Sequence, residues 1–486
     1  MATAVLKDGR TIEYVPEMLG EGAMKDVFIT PDRNSVICFY KDASAGADPR
    51  RKQRLEAILG KYNPTVPRSQ GGAAASESDG TYYRSLYCWP TAIVVKPRYG
   101  FVAPAYPSNF LFHAGPDFLR GKEKEGRWFV LGRSRALLQR FVPDELGTWN
   151  NYFRFCILMT RAVMRLHMAG LAHSDLSPKN VLVDPTQGRS IVIDIDSLVV
   201  PGLFPPDVMG TPKYIAPEVV STQHLPLNDK RRRYPNTSTD LHALPVLIYQ
   251  YLLLRHPLEG RRIPNASTAE GQDRLMYGPE AVFCEHPIDS SNRPEEPDYF
   301  PSSALGPILE ELFRRAFVGG LHSPKDRPSA FEWLSGLIKT WDLLMSCPNR
   351  SCSHKWFVVA GEKDVTCPFC RTKLRGPIPV LKFRTEHKPG QSRLDGQLVV
   401  YHNLSLFKWH VYDNVFPQPG VDRKPQAYCV WHHGQWLLVN QNLTNLTSPG
   451  GNPVPVGQAL VLADGAQFRL TTEPHGRLVE VQVIQC

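Results

Sequence analysis

The chain has 486 residues, of which 42% are hydrophobic and 21% charged, the balance of a water-soluble protein of roughly two to four domains and not of a disordered or fibrous one. No run approaches the ~18 consecutive apolar residues of a membrane helix, and the opening MATAVLKDGRTIEY lacks the apolar centre of a secretory leader. The ten cysteines are therefore expected to be reduced thiols in a cytoplasmic protein, and the net charge of +9 lies in loop-like runs such as Lys230-Arg231-Arg232-Arg233, without the stacking aromatics of a nucleic-acid surface.

Residues from about Glu13 to Lys41 alternate apolar and polar around a glycine-rich turn, the pattern of a β-hairpin. Ser69 to Gly80, SQGGAAASESDG, reads as a low-complexity loop. The runs AIVV and GFVA, between Ser85 and Phe112, predict two more strands of the same small sheet. Tyr152, Phe155, Cys156, Met159, Val163 and Leu166 then recur at helical spacing, predicting an amphipathic helix that ends at Gly170. A hairpin-like stretch, LAHSDLSPKNVLVD followed by SIVIDID, leads into helical segments reaching about Leu344. Strands first and helices after predict an α+β domain of two lobes over residues 11–345.

A metal-ligand module follows at 346–380. From about 393 to 486 the short runs QLVVYH, AYCVWH, QWLLVN, QALVLA, AQFRLT and LVEVQVIQ alternate with Gly, Asn and Pro turns, which predicts a small all-β sandwich.

The strongest chemical signal is His173-Ser174-Asp175-Leu176-Ser177-Pro178-Lys179-Asn180, with Asp194 fourteen residues after Asn180. Phosphoryl transfer needs a carboxylate beside the attacking hydroxyl and oxygen ligands that hold Mg²⁺ against the phosphates. An Asp and an Asn on one loop, with another Asp at the end of the next strand, supply that set. Here the chain resembles the protein-kinase family, whose pattern is H-R-D-L-x-x-x-N followed by D-F-G. The resemblance implies a two-lobed kinase fold, ATP as phosphoryl donor, Asp175 as catalytic base, and Asn180 and Asp194 as Mg²⁺ ligands.

Gly210-Thr211-Pro212-Lys213-Tyr214-Ile215-Ala216-Pro217-Glu218 is similar to the end of a kinase activation segment, and Thr211 falls at the position typical of serine/threonine kinases. Asp240 resembles the buried Asp of the helix that follows, and Arg327 the late Arg that pairs with the Glu of A-P-E, here Glu218. Ser174 replaces the Arg of H-R-D, so a phosphate within 196–211 would meet no Arg at that place. Ser177 replaces the substrate-side Lys, and Lys179 is expected to neutralise the transferring phosphate instead. Asp194-Ile195-Asp196 exchanges the Gly of D-F-G for a carboxylate, read as a turn-capping Asp in preference to a second metal ligand.

The phosphate-binding lysine departs from the family. Leu19-Gly20-Glu21-Gly22-Ala23-Met24-Lys25-Asp26-Val27 fits G-x-G-x-x-G-x-V, with Gly20, Gly22 and Val27 expected around the nucleotide, but Lys25 stands at the third glycine. On the next strand, VICFYK, the V-A-x-K pattern places Phe39 where the lysine is expected. Either Lys25 reaches in from the loop, as in the with-no-lysine kinases that this loop resembles, or the register slides and Lys41 is the lysine. The slide would turn Phe39 toward the adenine and crowd it, which favours Lys25. Glu56 is the sole Glu between Lys41 and Ser76 and becomes the lysine's expected partner on the following helix.

Cys347-x4-Cys352 and Cys367-Pro-Phe-Cys370 have the spacing of a zinc ribbon, four thiolates around a structural Zn²⁺ with no open position. The C-terminal strands resemble a forkhead-associated (FHA) domain, but Arg423-Lys424-Pro425-Gln426-Ala427 stands where that family reads phosphothreonine and lacks its Ser and His, so a plain protein-docking β-sandwich is an equal alternative. The whole layout resembles bacterial kinases of tellurite-resistance-type gene sets. That implies protein substrates, and a von Willebrand A-type protein and a metal-dependent protein phosphatase as partners. A pseudokinase scaffold, binding nucleotide and partners without turnover, is the alternative. Intact Asp175, Asn180 and Asp194 weigh against it, as the A-P-E segment weighs against a small-molecule phosphotransferase.

Overall fold

A computed structural model of the chain describes residues 1–21, 24–41, 48–66, 77–130, 133–200, 203, 209–226, 228–295, 300–361, 365–388, 391–418 and 421–486. These divide into two units, Met1–Gly147 with Asn151–Tyr299 and Glu311–Leu334, and Thr148–Asn150 with Phe300–Glu310 and Ser335–Cys486. Among the described residues no helix is long and apolar enough to cross a membrane.

The first unit opens with strands β1 (Ala2–Leu6), β2 (Thr11–Tyr14), β3 (Met18–Glu21), β4 (Lys25–Ile29) and β5 (Ser35–Tyr40), joined after a helical stretch by β6 (Ala92–Lys96) and β7 (Gly100–Pro104). They form one seven-stranded sheet in the order β2-β1-β6-β7-β5-β4-β3. Strand alternation gives β5 two different faces. Ile37 and Phe39 pack with Tyr14, Val94 and Val102 on one side. Cys38 and Tyr40 pack on the other with Phe101 and with Leu55 and Ile58 of helix α1 (Pro49–Leu59).

Helix α2 (Glu77–Arg84) occupies the end of the stretch read as a loop, whose earlier part, 69–76, lies outside the described residues. The sheet also takes in β1, ahead of position 11, which pairs with both β2 and β6.

Further helices follow, α3 (Arg133–Leu138), α4 (Trp149–Met168), α5 (Pro217–Val220), α6 (Thr237–Leu253), α7 (Ala269–Tyr277), α8 (Gly306–Arg314) and α9 (Ala330–Trp341). In α4 the periodic residues Phe155, Cys156, Met159, Val163 and Leu166 are all buried, as an amphipathic stripe requires. Between α4 and α5 runs a short hairpin, β8 (Val181–Asp184) and β9 (Arg189–Val192), in which Val181 faces Val192.

In the second unit β10 (Leu344–Ser346) and β11 (Trp356–Val358) form a hairpin. Two four-stranded sheets follow. One is β13 (Gln391–Val399), β12 (Pro377–Lys388), β19 (Leu478–Gln485) and β18 (Gln467–Arg469). The other is β14 (Leu404–Leu406), β15 (Ala427–His432), β16 (Gln435–Asn440) and β17 (Ala459–Val461), with helix α10 (Lys408–Val411) between β14 and β15. Leu381, Phe383 and Val481 of the first sheet share one apolar core with Leu406, Cys429 and Leu438 of the second.

Strand β12 begins at Pro377, well before the strand run expected from about Leu394. Its two prolines mask it, because proline donates no ladder hydrogen bond. Pro377 and Pro379 pair only with β19, and β13 joins from Val380 onward.

Candidate active site

The β8–β9 hairpin sets one side of the site. Asn180 immediately precedes β8 and Asp194 follows β9, so closing the hairpin brings the two to the same open end. The Ile193 amide donates to the Asn180 carbonyl at 3.0 Å. Asp194 adopts φ 60° and ψ 48°, the left-handed region that a residue other than glycine enters only when its surroundings demand it.

Asn180 Nδ2 donates to the Asp175 carbonyl at 2.8 Å and to Asp175 Oδ2 at 3.0 Å. That orientation directs the amide oxygen away from Asp175. With the Asp194 carboxylate it provides the hard oxygen donors that Mg²⁺ takes. The Thr211 amide donates to the other oxygen of Asp175, Oδ1, at 2.6 Å, tying the 209–218 segment to the loop.

The loop itself is held from beneath. Asp240, near the start of α6 and 1% exposed, accepts from the amides of His173 and Ser174 at 2.8 and 3.2 Å and meets His167 Nε2 at 3.0 Å. His173 Nε2 reaches the Ile193 carbonyl at 2.9 Å. Arg327 donates two hydrogen bonds to Glu218, at 2.9 and 2.8 Å. Of these contacts, the Arg327–Glu218 pair is the one expected from the sequence, and Asp240 is buried as expected. Ser177 is fully buried, so it cannot act for a substrate-side lysine. Lys179 is exposed, and Glu125 is among its electrostatic neighbours.

The β4–β5 hairpin sets the other side, with a register that differs from both sequence alternatives. Lys25 lies directly across from Tyr40, and Val27 from Cys38. Phe39 points to the opposite face, edge-on to Tyr14 and Phe28. The V-A-x-K pattern therefore lines up as Ile37-Cys38-Phe39-Tyr40, with Tyr40 at the lysine's position.

Lys41 shares the outer face with Phe39: its ammonium bonds Glu21 and lies 4.0 Å from Asp26. Lys25 points the other way, its Nζ 2.9 Å from Asp194 Oδ1 and 2.5 Å from Asp196 Oδ1, with its side chain 18% exposed. Burial alone would push this ammonium down. The Asp196 and Asp194 carboxylates more than reverse that and hold it well above the ordinary lysine range.

Asp196 and Glu56 differ from the sequence expectation. Asp196 is not a turn cap: it is buried, and its Oδ2 accepts from the Tyr40 hydroxyl at 2.8 Å. Glu56 is nearly half exposed and bonded to Lys7 at 2.5 Å, so its carboxylate faces neither Lys25 nor Lys41. Gly20 pairs with Val27, and Val27 packs against the Cys38–Tyr40 face. Gly22 lies outside the described residues, as do 201–202 and 204–208 of the segment between Asp196 and Thr211.

In the second unit, Cys347, Cys352, Cys367 and Cys370 bring their sulfurs within 4.8 Å of one another. Cys347 and Cys370 are 3.5 Å apart and Cys352 and Cys367 3.8 Å, close to the ~3.8 Å edge of a tetrahedron with Zn–S bonds of about 2.3 Å. His354 stacks on Phe369 at 3.7 Å and is not part of the four-sulfur group. The donor set fits a closed, structural zinc site.

Residues 137–334 match the protein kinase domain family. Among curated proteins, the chain is 25% identical over 239 residues to serine/threonine-protein kinase pkn3 of Myxococcus xanthus, covering 46% of this chain and 38% of that protein. It is 28% identical over 144 residues to serine/threonine-protein kinase PknD of Chlamydia felis, covering 25% and 14%. Dual specificity protein kinase shkB of Dictyostelium discoideum is 26% identical over 191 residues, covering 37% and 24%. The matched segment thus spans less than half of each relative. The chain carries a protein kinase domain with bacterial serine/threonine kinases among its relatives.

Proposed function

We propose that this chain is an ATP-dependent protein kinase that transfers the γ-phosphoryl group to serine or threonine hydroxyls of protein substrates, with Lys25 holding the phosphates. One observation carries the reading most of the way: Asp175 and Asn180 share a side-chain hydrogen bond, distant Lys25 bonds Asp194, and the Ile193 amide on the Asn180 carbonyl brings the two pairs to one end of the hairpin.

In this reading Asp175 accepts the proton of the attacking hydroxyl, and its contacts to Asn180 and Thr211 fix the direction in which it does so. Asn180 and Asp194 would hold Mg²⁺, which would neutralise charge on the phosphates. Lys25 supplies the adjacent positive charge. Lys179, on the exposed side of the loop, faces the substrate. Phosphoryl transfer asks mainly for positioning and charge, which is what this arrangement of the chain's residues offers.

The kinase domain would be followed by a zinc ribbon on Cys347, Cys352, Cys367 and Cys370 and by an FHA-like sandwich that docks protein partners. The resemblance to tellurite-resistance-type gene sets supports a von Willebrand A-type protein and a metal-dependent phosphatase as those partners. Labelled ATP with Mg²⁺ and candidate proteins tests the reading. Transfer onto Ser or Thr that disappears in Asp175→Asn is expected, and transfer unchanged in that variant contradicts it. For the metal, elemental analysis should find one zinc per chain, reduced when Cys367 and Cys370 are both changed to Ser.

A further inference from the structure

A phosphate-binding lysine is long and flexible, and protein kinases fix it with a Glu of the helix after its strand. Among the described residues that arrangement is absent, because Glu56 of α1 is bonded to Lys7. Two carboxylates face Lys25 instead, Asp194 at 2.9 Å and Asp196 at 2.5 Å. On the reading above, Asp194 gives its oxygens to the metal ion. A carboxylate engaged with Mg²⁺ has little charge left for an ammonium.

Asp196 remains. Its side chain is 7% exposed, so water does little to stabilise its charge, and a buried carboxylate needs a cation and hydrogen-bond donors around it. It has both. Oδ1 faces Lys25, while Oδ2 accepts from the Tyr40 hydroxyl at 2.8 Å. Tyr40 is held in turn, since it lies opposite Lys25 in the β4–β5 ladder and its ring meets Tyr99, Phe101 and Arg51.

We propose that Asp196 is the positioning residue for Lys25, supported by Tyr40, in place of a helix glutamate. The inference rests on the kinase reading and deepens it. It explains three departures from the family pattern together: lysine at the third loop glycine, tyrosine at the strand lysine, and aspartate at the glycine of D-F-G. It also places the lysine's anchor two residues from the metal-binding Asp194, so one short segment sets both phosphate-holding groups.

The test is a double-variant cycle on the full chain, reading calorimetric affinity for a non-hydrolysable ATP analogue with Mg²⁺ alongside KM and kcat. Asp196→Asn should weaken analogue binding about tenfold, the scale of a lost charge-assisted hydrogen bond. Lys25→Met should do the same, and adding Asp196→Asn to it should cost no more than about a further twofold, because no ammonium remains to be placed. Tyr40→Phe, which removes only the hydroxyl, should weaken binding about threefold. If Asp196→Asn does not fold, Tyr40→Phe with and without Lys25→Met completes the same cycle.

Unchanged affinity in Asp196→Asn, or fully additive losses in the cycle, overturns the inference and leaves the kinase reading standing. A loss in Glu56→Gln as large as in Asp196→Asn returns the role to α1 and overturns it too. No analogue binding in the wild-type chain overturns both.

Discussion

The β8–β9 side of the candidate site and the β4–β5 side meet at Asp194, yet they hold their charged groups by different means. On the β8–β9 side, the holding contacts engage the backbone: the hairpin register sets Asn180 against Ile193, and the loop amides of His173 and Ser174 are gripped by the carboxylate of buried Asp240. On the β4–β5 side, side chains hold side chains, with Lys25, Tyr40 and Asp196 in one cluster. Backbone placement leaves few alternatives, so Asp175, Asn180 and Asp194 stand in the usual family order. A side-chain cluster can exchange members while its charges still balance, and the lysine side carries the substitutions.

The first way to sharpen that contrast is Asp175→Asn. On the kinase reading turnover should fall about a thousandfold, as expected for loss of a catalytic base, while affinity for the ATP analogue changes by less than about twofold because Asp175 would face the hydroxyl and not the phosphates. A parallel loss of nucleotide affinity would mean that the two sides are not separable. Next is Glu218→Ala, which leaves Arg327 buried without its carboxylate: chemical denaturation should show a loss of about 3 kcal/mol. A change below about 0.5 kcal/mol would place the pair among surface ion pairs and weaken the picture of a rigidly built β8–β9 side.

On the lysine side, Tyr40→Phe should raise KM for ATP about threefold with kcat nearly unchanged, since it loosens binding of the phosphates and not the base. The smallest effect is expected from Lys41→Met. Its ammonium bonds exposed Glu21 on the outer face, an exchange that should shift stability by no more than about 1 kcal/mol.

How far these features can be read from the residues follows the same division. The order of Asp175, Asn180, Asp194, Glu218, Asp240 and Arg327 is legible because it follows the order of the protein-kinase motifs that the chain resembles. The strand pattern around Phe39 is not, because VICFYK is apolar on both faces and alternation alone does not tell which face is inward.

The register is decided by the turn at 30–35, where the Thr30 amide donates to the Ser35 carbonyl, Thr30 bonds Asp32 and Arg33 takes φ 59°. Counting back from Ile29 opposite Val36 puts Lys25 opposite Tyr40. The residues Thr-Pro-Asp-Arg-Asn-Ser are a turn signal in their own right, and that turn, not the V-A-x-K pattern, fixes where Tyr40 falls. The role of Asp196 is hidden for a different reason. Its partners, Lys25 of β4 and Tyr40 of β5, lie 171 and 156 positions away, and no local spacing encodes those contacts.

The most direct test of the account compares phosphoryl transfer from labelled ATP to protein in Lys25→Met and Lys41→Met side by side. The account predicts that Lys25→Met lowers kcat/KM at least about thirtyfold, the scale of a lost charge-assisted contact to phosphate, while Lys41→Met stays within about twofold of wild type. Transfer kept in Lys25→Met and lost in Lys41→Met would contradict it.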